Sequence, residues 1–278
     1  MDIGTSITYV FRDKNWLTKL AIGAAILLVS IPLTPILVGF VGIALVLGYS
    51  LDVLRNVRTG VAQPLPEWRD RWGEWMVSGL KYLLLLLIWS LPALILNGFN
   101  GLGNRLVWGG DGIVEFMGSS ILIATACLGT LWWLFFFLIL PAMTIRFAET
   151  DDVRAGLNFN DIYFLTRNNL GDVIVAVVAG AVAFVAAVTV GAVLGTLMCI
   201  IGLAITLPAG VFLADLIAAH MFAQVGYGKE TTAPPKPPKA SNPSNPSPQP
   251  EAKKKPQTGN TMVVMPDGTV IPADDAVK

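Results

Sequence analysis

The three longest stretches of this chain without Asp, Glu, Lys, Arg or His are Leu20–Leu51, Gly118–Ile145 and Val173–Ala214. About 20 apolar residues cross a bilayer as helix, so each run is long enough to span a membrane. A large soluble core would need helices with a polar face recurring every 3.6 residues, and these runs have none. Composition agrees: 14% of the 278 residues are charged and mean hydropathy is +0.64, against about 25% charged in soluble domains. The chain reads as an all-α integral membrane protein in contact with the lipid bilayer.

The first run is too long for one crossing. As a single helix, Leu20–Leu51 would measure roughly 48 Å at 1.5 Å per residue, against a hydrocarbon core of about 30 Å. Pro32 and Pro35 lie near its middle, where a turn loses little helical hydrogen bonding. Basic residues flank both ends: Arg12, Lys14 and Lys19 before it, Arg55, Arg58, Arg69 and Arg71 after it. Because basic residues favour the cytoplasmic side, both ends belong on that side and the run is a hairpin. The same reasoning gives a bundle of six spans near 16–31, 33–54, 76–96, 118–145, 173–191 and 202–224. Both termini are then cytoplasmic, in the cell membrane. All of the 19 Lys and Arg residues except Arg105 fall on the inner side. Ser30-Ile31-Pro32 is a poor signal-peptidase site, so the first span is expected to stay uncleaved, with Lys19 snorkelling to the interface.

The segment GYSLDVLRNVRTGVAQPLPEW, residues 48–68, closes the second span with charge, turn and aromatic side by side. Arg55 and Arg58 read as headgroup anchors, Gly60 as the helix stop, and Trp68, Trp72 and Trp75 as an interfacial aromatic belt. Two parts of the chain look alike. YVFRDKNW leads into a hairpin ending near Asp52, and YFLTRNNL leads into one ending near Asp215. Tyr9 precedes Asn15 by six residues and Tyr163 precedes Asn169 by six; both hairpins enter from the same side, as in a parallel repeat. The segment GYSLDVLRNVRTGVAQPLPEW, with the preceding WLTKLAIG, resembles the hallmark of the domain-of-unknown-function 4013 family of prokaryotic polytopic membrane proteins. The likeness covers roughly residues 1–228. It implies a multi-span protein of unknown biochemical role and brings no catalytic residues with it.

No catalytic constellation appears. His220 is the only histidine, Cys127 and Cys199 lie inside apolar runs, and no phosphate-binding loop, nucleophile elbow or HExxH occurs. No cofactor or metal site is expected, and the balance of 19 basic against 19 acidic residues gives no argument for nucleic acid. The acidic group Glu149, Asp151 and Asp152 reads as a solvated loop, and the stretch NGFNGLGNRLVWGGDG as a flexible Gly- and Asn-rich loop. Ionisable groups in a span usually have a partner or a task. Asp52 is expected to reach Arg55 or Asn56 on its own helix. Asp215 reads as a counter-charge to Arg55, Arg167 or Asn169, or else as a transport residue. His220 reads as packed near the interface and off the face of Asp215. Ala179, Ala183, Ala187, Gly191 and Gly195 form a small-residue ridge for helix packing.

Beyond Gly228 the composition turns Pro-, Ser- and Lys-rich, which predicts a mostly disordered tail over residues 229–278. MVVMPDGTVIP within it predicts a short hairpin near 262–272. That hairpin is either a docking peptide for a protein partner or a ragged end. Three functional readings remain: a non-enzymatic scaffold or accessory subunit, a small transporter using Asp52 and Asp215, and a lipid-handling enzyme. A mid-depth cavity lined by both aspartates would favour transport, and a dry Ala/Gly-packed bundle would favour the scaffold.

Overall fold

The uncharged runs all become helix, and prolines and glycines fix where the chain reverses. The computed structural model describes residues 1–69, 71–227, 262–264 and 270–272, with side chains at 199–201 and in the last two segments left aside. The order is α1 (Ile3–Arg12), α2 (Trp16–Leu33), α3 (Gly39–Arg58), α4 (Trp72–Gly109), α5 (Ile113–Thr150), α6 (Val153–Leu157), α7 (Phe159–Asn168), α8 (Leu170–Leu197) and α9 (Cys199–Gln224). Among the described residues, six helices are long and apolar enough to cross a membrane. The chain is an all-α, multi-pass membrane protein.

Pro32 sits in the last turn of α2, and Pro35 opens a 3-10 turn over Thr34–Ile36. Leu37 then takes a left-handed φ of 65°, and α3 returns. The long third run reverses at Met198 between α8 and α9. These turns, with that at 110–112, form one end of the bundle. The other end gathers α1, the segment 59–69, α6, α7 and residues 225–227, tied together by side-chain bonds described below.

Two expectations change here. The Gly- and Asn-rich stretch is not a loop: α4 continues through it to Gly109, and the turn shrinks to Gly110–Gly112, with Gly112 at a φ of 57°. Helix contact overrides local propensity. A Cβ on Gly103 would lie 3.1 Å from Gly118 O, one on Gly118 would lie 2.8 Å from Val107 N, and Asn100 donates to Thr125 Oγ1 across the pair. At 38 residues each, α4 and α5 are about 57 Å long at 1.5 Å per residue, well beyond the spans expected. The polar segment after Thr150 is also ordered, as α6 and α7, capped by Asp152 and Asn158 side chains.

Helices α3 and α9 are central. Helix α3 packs on α2, α4 and α9, while α9 packs on α1, α2, α3 and α8. Glycine lets the backbones meet: a Cβ on Gly48 would lie 1.9 Å from Trp75 O, and one on Gly79 would lie 1.7 Å from Ala44 O. The ridge on α8 divides. Gly191, Gly195 and Ala187 pack against α9, where Thr206 Oγ1 donates to Gly191 O at 2.6 Å and Gly210 faces Ala187 O. Ala179 and Ala183, with Ala187 and Gly191, also line an apolar lateral groove of about 730 Å³ whose rim includes Ile3, Ile7 and Phe11 of α1. Large apolar side chains such as Leu131, Leu134, Val182 and Val185 are more than half exposed on the outer faces. Such a surface suits lipid.

Residues 262–264 and 270–272 belong to a second unit. Strands β1 (Met262–Val264) and β2 (Val270–Pro272) pair antiparallel, with Val263 opposite Ile271. The Pro- and Lys-rich stretch before them and the Asp267-Gly268 turn lie outside the described residues.

Candidate functional site

Four polar clusters are built where the helices converge. The first surrounds Asp52, which is 3% exposed near the end of α3. Its Oδ2 accepts from Arg71 Nη1 at 2.7 Å and from Trp75 Nε1 at 3.3 Å. Neither is the same-helix partner expected, because Asp52 faces the start of α4 and Arg55 faces α5. Trp68 and Trp75 are not in an aromatic belt either. Both are buried, and Trp68 stacks on Tyr49 at 4.3 Å while Tyr49 donates to Pro66 O. The Leu-Pro-Glu-Trp element is thus a plug against α2 and α3. Lys19 does not snorkel: at 4% exposure it pairs with Asp13 at 2.7 Å and Glu67 at 2.9 Å, and donates to Leu65 O.

The second cluster joins α3, α4 and α5. Arg55 donates to Ala148 O, Ser78 Oγ and Asp151 Oδ1, and Lys81 donates to Asp151 Oδ2 at 2.6 Å. Asp151 sits just past α5 at a φ of 53°, its N–H closing the helix onto Phe147 O at 2.8 Å. Asp is among the few residues that tolerate this conformation. Partial burial acts to raise the Asp151 acid, but hydrogen bonds from Lys81, Ser78 and Arg55 outweigh it and hold the carboxyl below its ordinary range. Glu149 pairs with Arg58 at 2.8 Å and with Arg146. Two of the three acidic residues read as a solvated loop are therefore structural ion-pair partners. Arg55 stands between two open clefts of about 520 and 490 Å³.

The third cluster ties the two ends of the helical unit together. His220 is 7% exposed and stacks on Tyr9 at 4.3 Å. Its Nδ1 lies 2.9 Å from Ser6 Oγ and 3.0 Å from Gln224 Nε2. Tyr9 donates to Leu216 O at 2.8 Å, and Asp2 N–H donates to Gln224 Oε1. Burial pushes the Tyr9 phenol far above its ordinary value. His220 and Asp215 do not meet, as their spacing of five suggested.

The fourth cluster lies deeper. Asp215 Oδ2 contacts Ser50 Oγ on α3. Tyr82 on α4 and Thr144 on α5 are bonded to each other at 2.7 Å. All four side chains line one cavity of about 40 Å³. The partners expected for Asp215 are elsewhere: Arg55 is held by Asp151, Arg167 is exposed, and Asn169 donates to Leu165 O. The Ser50 contact had no sequence signal beyond a serine two residues before Asp52. Asp52 does not border this cavity, so the two aspartates share no space.

Among the described residues no group of three His, Cys, Asp or Glu side chains is placed to hold a metal ion. What the geometry supplies is a set of buried pairs that lock helices together, a small cavity beside Asp215 inside the bundle, and an apolar groove on its side.

A family model described as "Protein of unknown function (DUF4013)" matches residues 33–200. The match holds α3, α4 and α5, and with them the Asp52 and Asp151 clusters. No curated protein and no solved structure matches the chain. With well over half of its length inside the family model, the chain belongs to the DUF4013 family.

Proposed function

We propose that this membrane protein is a non-enzymatic scaffold or accessory subunit of the cytoplasmic membrane, with both ends of the bundle's chain on the cytoplasmic side. One observation supports it above others: Asp52 and Asp215 occupy separate places. Asp52 is closed off by Arg71 and Trp75, and the cavity beside Asp215, about 40 Å³, has room for little more than water. A solute path using both aspartates would need a common space at mid-depth. The close glycine contacts of α3 with α4, and of α8 with α9, further favour a dry, fixed bundle over a moving one. The groove beside α8 is the surface this reading assigns to another membrane segment.

A photo-reactive residue at Val182, inside the groove, tests it. In intact membranes it should give one discrete protein adduct, lost when the ridge is filled by Ala183→Phe. Solute uptake by proteoliposomes that requires both Asp52 and Asp215 would overturn the reading in favour of a transporter. The orientation is supported by the placement of basic residues: Arg55, Arg58, Arg146, Arg154 and Arg167 lie at one end and Arg105 at the other. In a background without Cys127 and Cys199, cysteines at Asn104 should react with an impermeant label added outside, and those at Arg58 or Asn158 should not. Outside labelling at Arg58 would reverse the orientation.

A further inference from the structure

We propose that Asp215 is an intramembrane proton-binding site, a carboxylic acid that keeps its proton inside the bundle and exchanges it with the polar end past Leu54. Hydrogen counting carries the inference. Ser50 Oγ contacts Asp215 Oδ2 and also reaches Val46 O at 3.2 Å. A serine hydroxyl has one hydrogen to give. Were Asp215 ionised, Ser50 would have to choose between two acceptors. With the proton on Asp215, the acid donates to Ser50 Oγ, and Ser50 keeps its own hydrogen for Val46 O.

The other hydroxyls in the cavity are committed. Thr144 Oγ1 gives its hydrogen to Leu140 O at 2.7 Å, so Tyr82 gives its own to Thr144 at 2.7 Å. Neither has one left for a carboxylate. No Lys or Arg among the described residues is ion-paired with Asp215. An ionised carboxylate without a cation or dedicated donors is costly in a low-dielectric interior, whereas a bonded neutral acid is tolerated.

Titratable groups on the surrounding helices do not change this count. Tyr9 of α1 is bonded to Leu216 O, Lys19 of α2 to Asp13 and Glu67, Asp52 and Arg55 of α3 to Arg71 and Asp151. His220 of α9 is held by Ser6 and Gln224, and Asp172 of α8 lies in that helix's first turn. Only Tyr82 shares the cavity with Asp215.

The route follows from shared walls. A water needs roughly 10–15 Å³ of such space, and the cavity offers about 40 Å³. Leu54, fully buried, lines both this cavity and the 490 Å³ cleft beside Arg55 and Arg58. Exchange moves one proton from the carboxyl to a cavity water, leaving carboxylate behind; only O–H bonds change. The inference does not depend on the accessory-subunit reading.

Infrared difference spectroscopy of the full chain in lipid nanodiscs, with ¹³C at aspartate carboxyls, tests it directly. At neutral pH a protonated-carboxyl band should be present, missing in Asp215→Asn and shifted in frequency in Ser50→Ala. Leu54→Ala should speed deuterium exchange of that band several-fold. Absence of the band in folded parent protein, or its persistence in Asp215→Asn, overturns the proposal. Should Asp215→Asn fail to accumulate, Ser50→Ala decides alone, and an unshifted band overturns the assignment. Unchanged exchange in Leu54→Ala overturns the route.

Discussion

The two hairpins that open with a Tyr-to-Asn spacing of six carry their aspartates in opposite company. In the first, α2 and α3 follow α1 and Asn15, and Asp52 meets a guanidinium and an indole. In the second, α8 and α9 follow α7 and Asn169, and among the described residues Asp215 is hydrogen-bonded to a serine hydroxyl alone. The entry helices differ too. Tyr9 is buried and bonded across the bundle, whereas Tyr163 is 46% exposed. The difference lies in what each hairpin packs against. After α3 the chain supplies Arg71 at once, on the threshold of α4. Among the described residues no basic group is paired with Asp215, which faces α3 in the middle of the bundle. Similar local sequence therefore gives a charged latch in one hairpin and a neutral polar contact in the other.

Backbone proximity should separate the hairpins most strongly. A Cβ on Gly79 would sit 1.7 Å from Ala44 O, where the first hairpin joins α4, while one on Gly210 would sit 2.7 Å from Ala187 O within the second. Gly79→Ala should cost about 1–3 kcal/mol as overpacking, and Gly210→Ala distinctly less, read as melting temperature in detergent. Equal melting of the two variants would break the contrast in packing.

The aspartates themselves come next. Asp52→Asn removes a charge-assisted bond, and such bonds contribute about 1.5–3 kcal/mol; half-exposed Arg71 puts the loss at the low end. Asp215→Asn replaces a neutral acid with a neutral amide that can still donate to Ser50, so its melting temperature should stay near the parent's. If Asp215→Asn proves the more damaging, Asp215 is the charged member of the pair.

Asp151 supplies the smallest effect and a control on charge. In the folded state its carboxyl gives up its proton below the unfolded value near 3.8. The stabilisation is thus fully present above that value and fades as pH falls through the lower, folded-state value. Asp151→Asn should melt below the parent at neutral pH, and the gap should close only in acid below about pH 4. A gap that narrows near neutrality would point to another titrating group.

The six apolar helices and the hairpin at Pro32 and Pro35 were legible because hydropathy and helix breaking are local. Ala187, Gly191 and Gly195, four apart, share a face of α8, and that face lies against α9. The partners of Asp52, Arg55, Lys19 and Trp68 were not legible. Each contact crosses between elements, and a same-helix partner such as Arg55 for Asp52 is only the nearest choice in sequence. The Gly- and Asn-rich stretch misled for a related reason: Gly103 and Gly118 look like turn formers until the facing helix makes them contact points. The Ser50–Asp215 meeting joins residues 165 apart, and no spacing rule reaches that far.

The seam between α1 and α9 also sets an order of events during synthesis. Tyr9 waits for Leu216, Ser6 for His220, and Asp2 for Gln224, separations of 207, 214 and 222 residues. At roughly 5–20 residues per second, α1 leaves the ribosome some ten to forty seconds before its partners exist. Through that interval its Ile3, Ile7 and Phe11 side can rest on the membrane surface as an amphipathic helix. The opposite side, with Ser6, Tyr9 and Val10, stays unclaimed until the last helix is inserted, so closure of this seam is a late step in assembly.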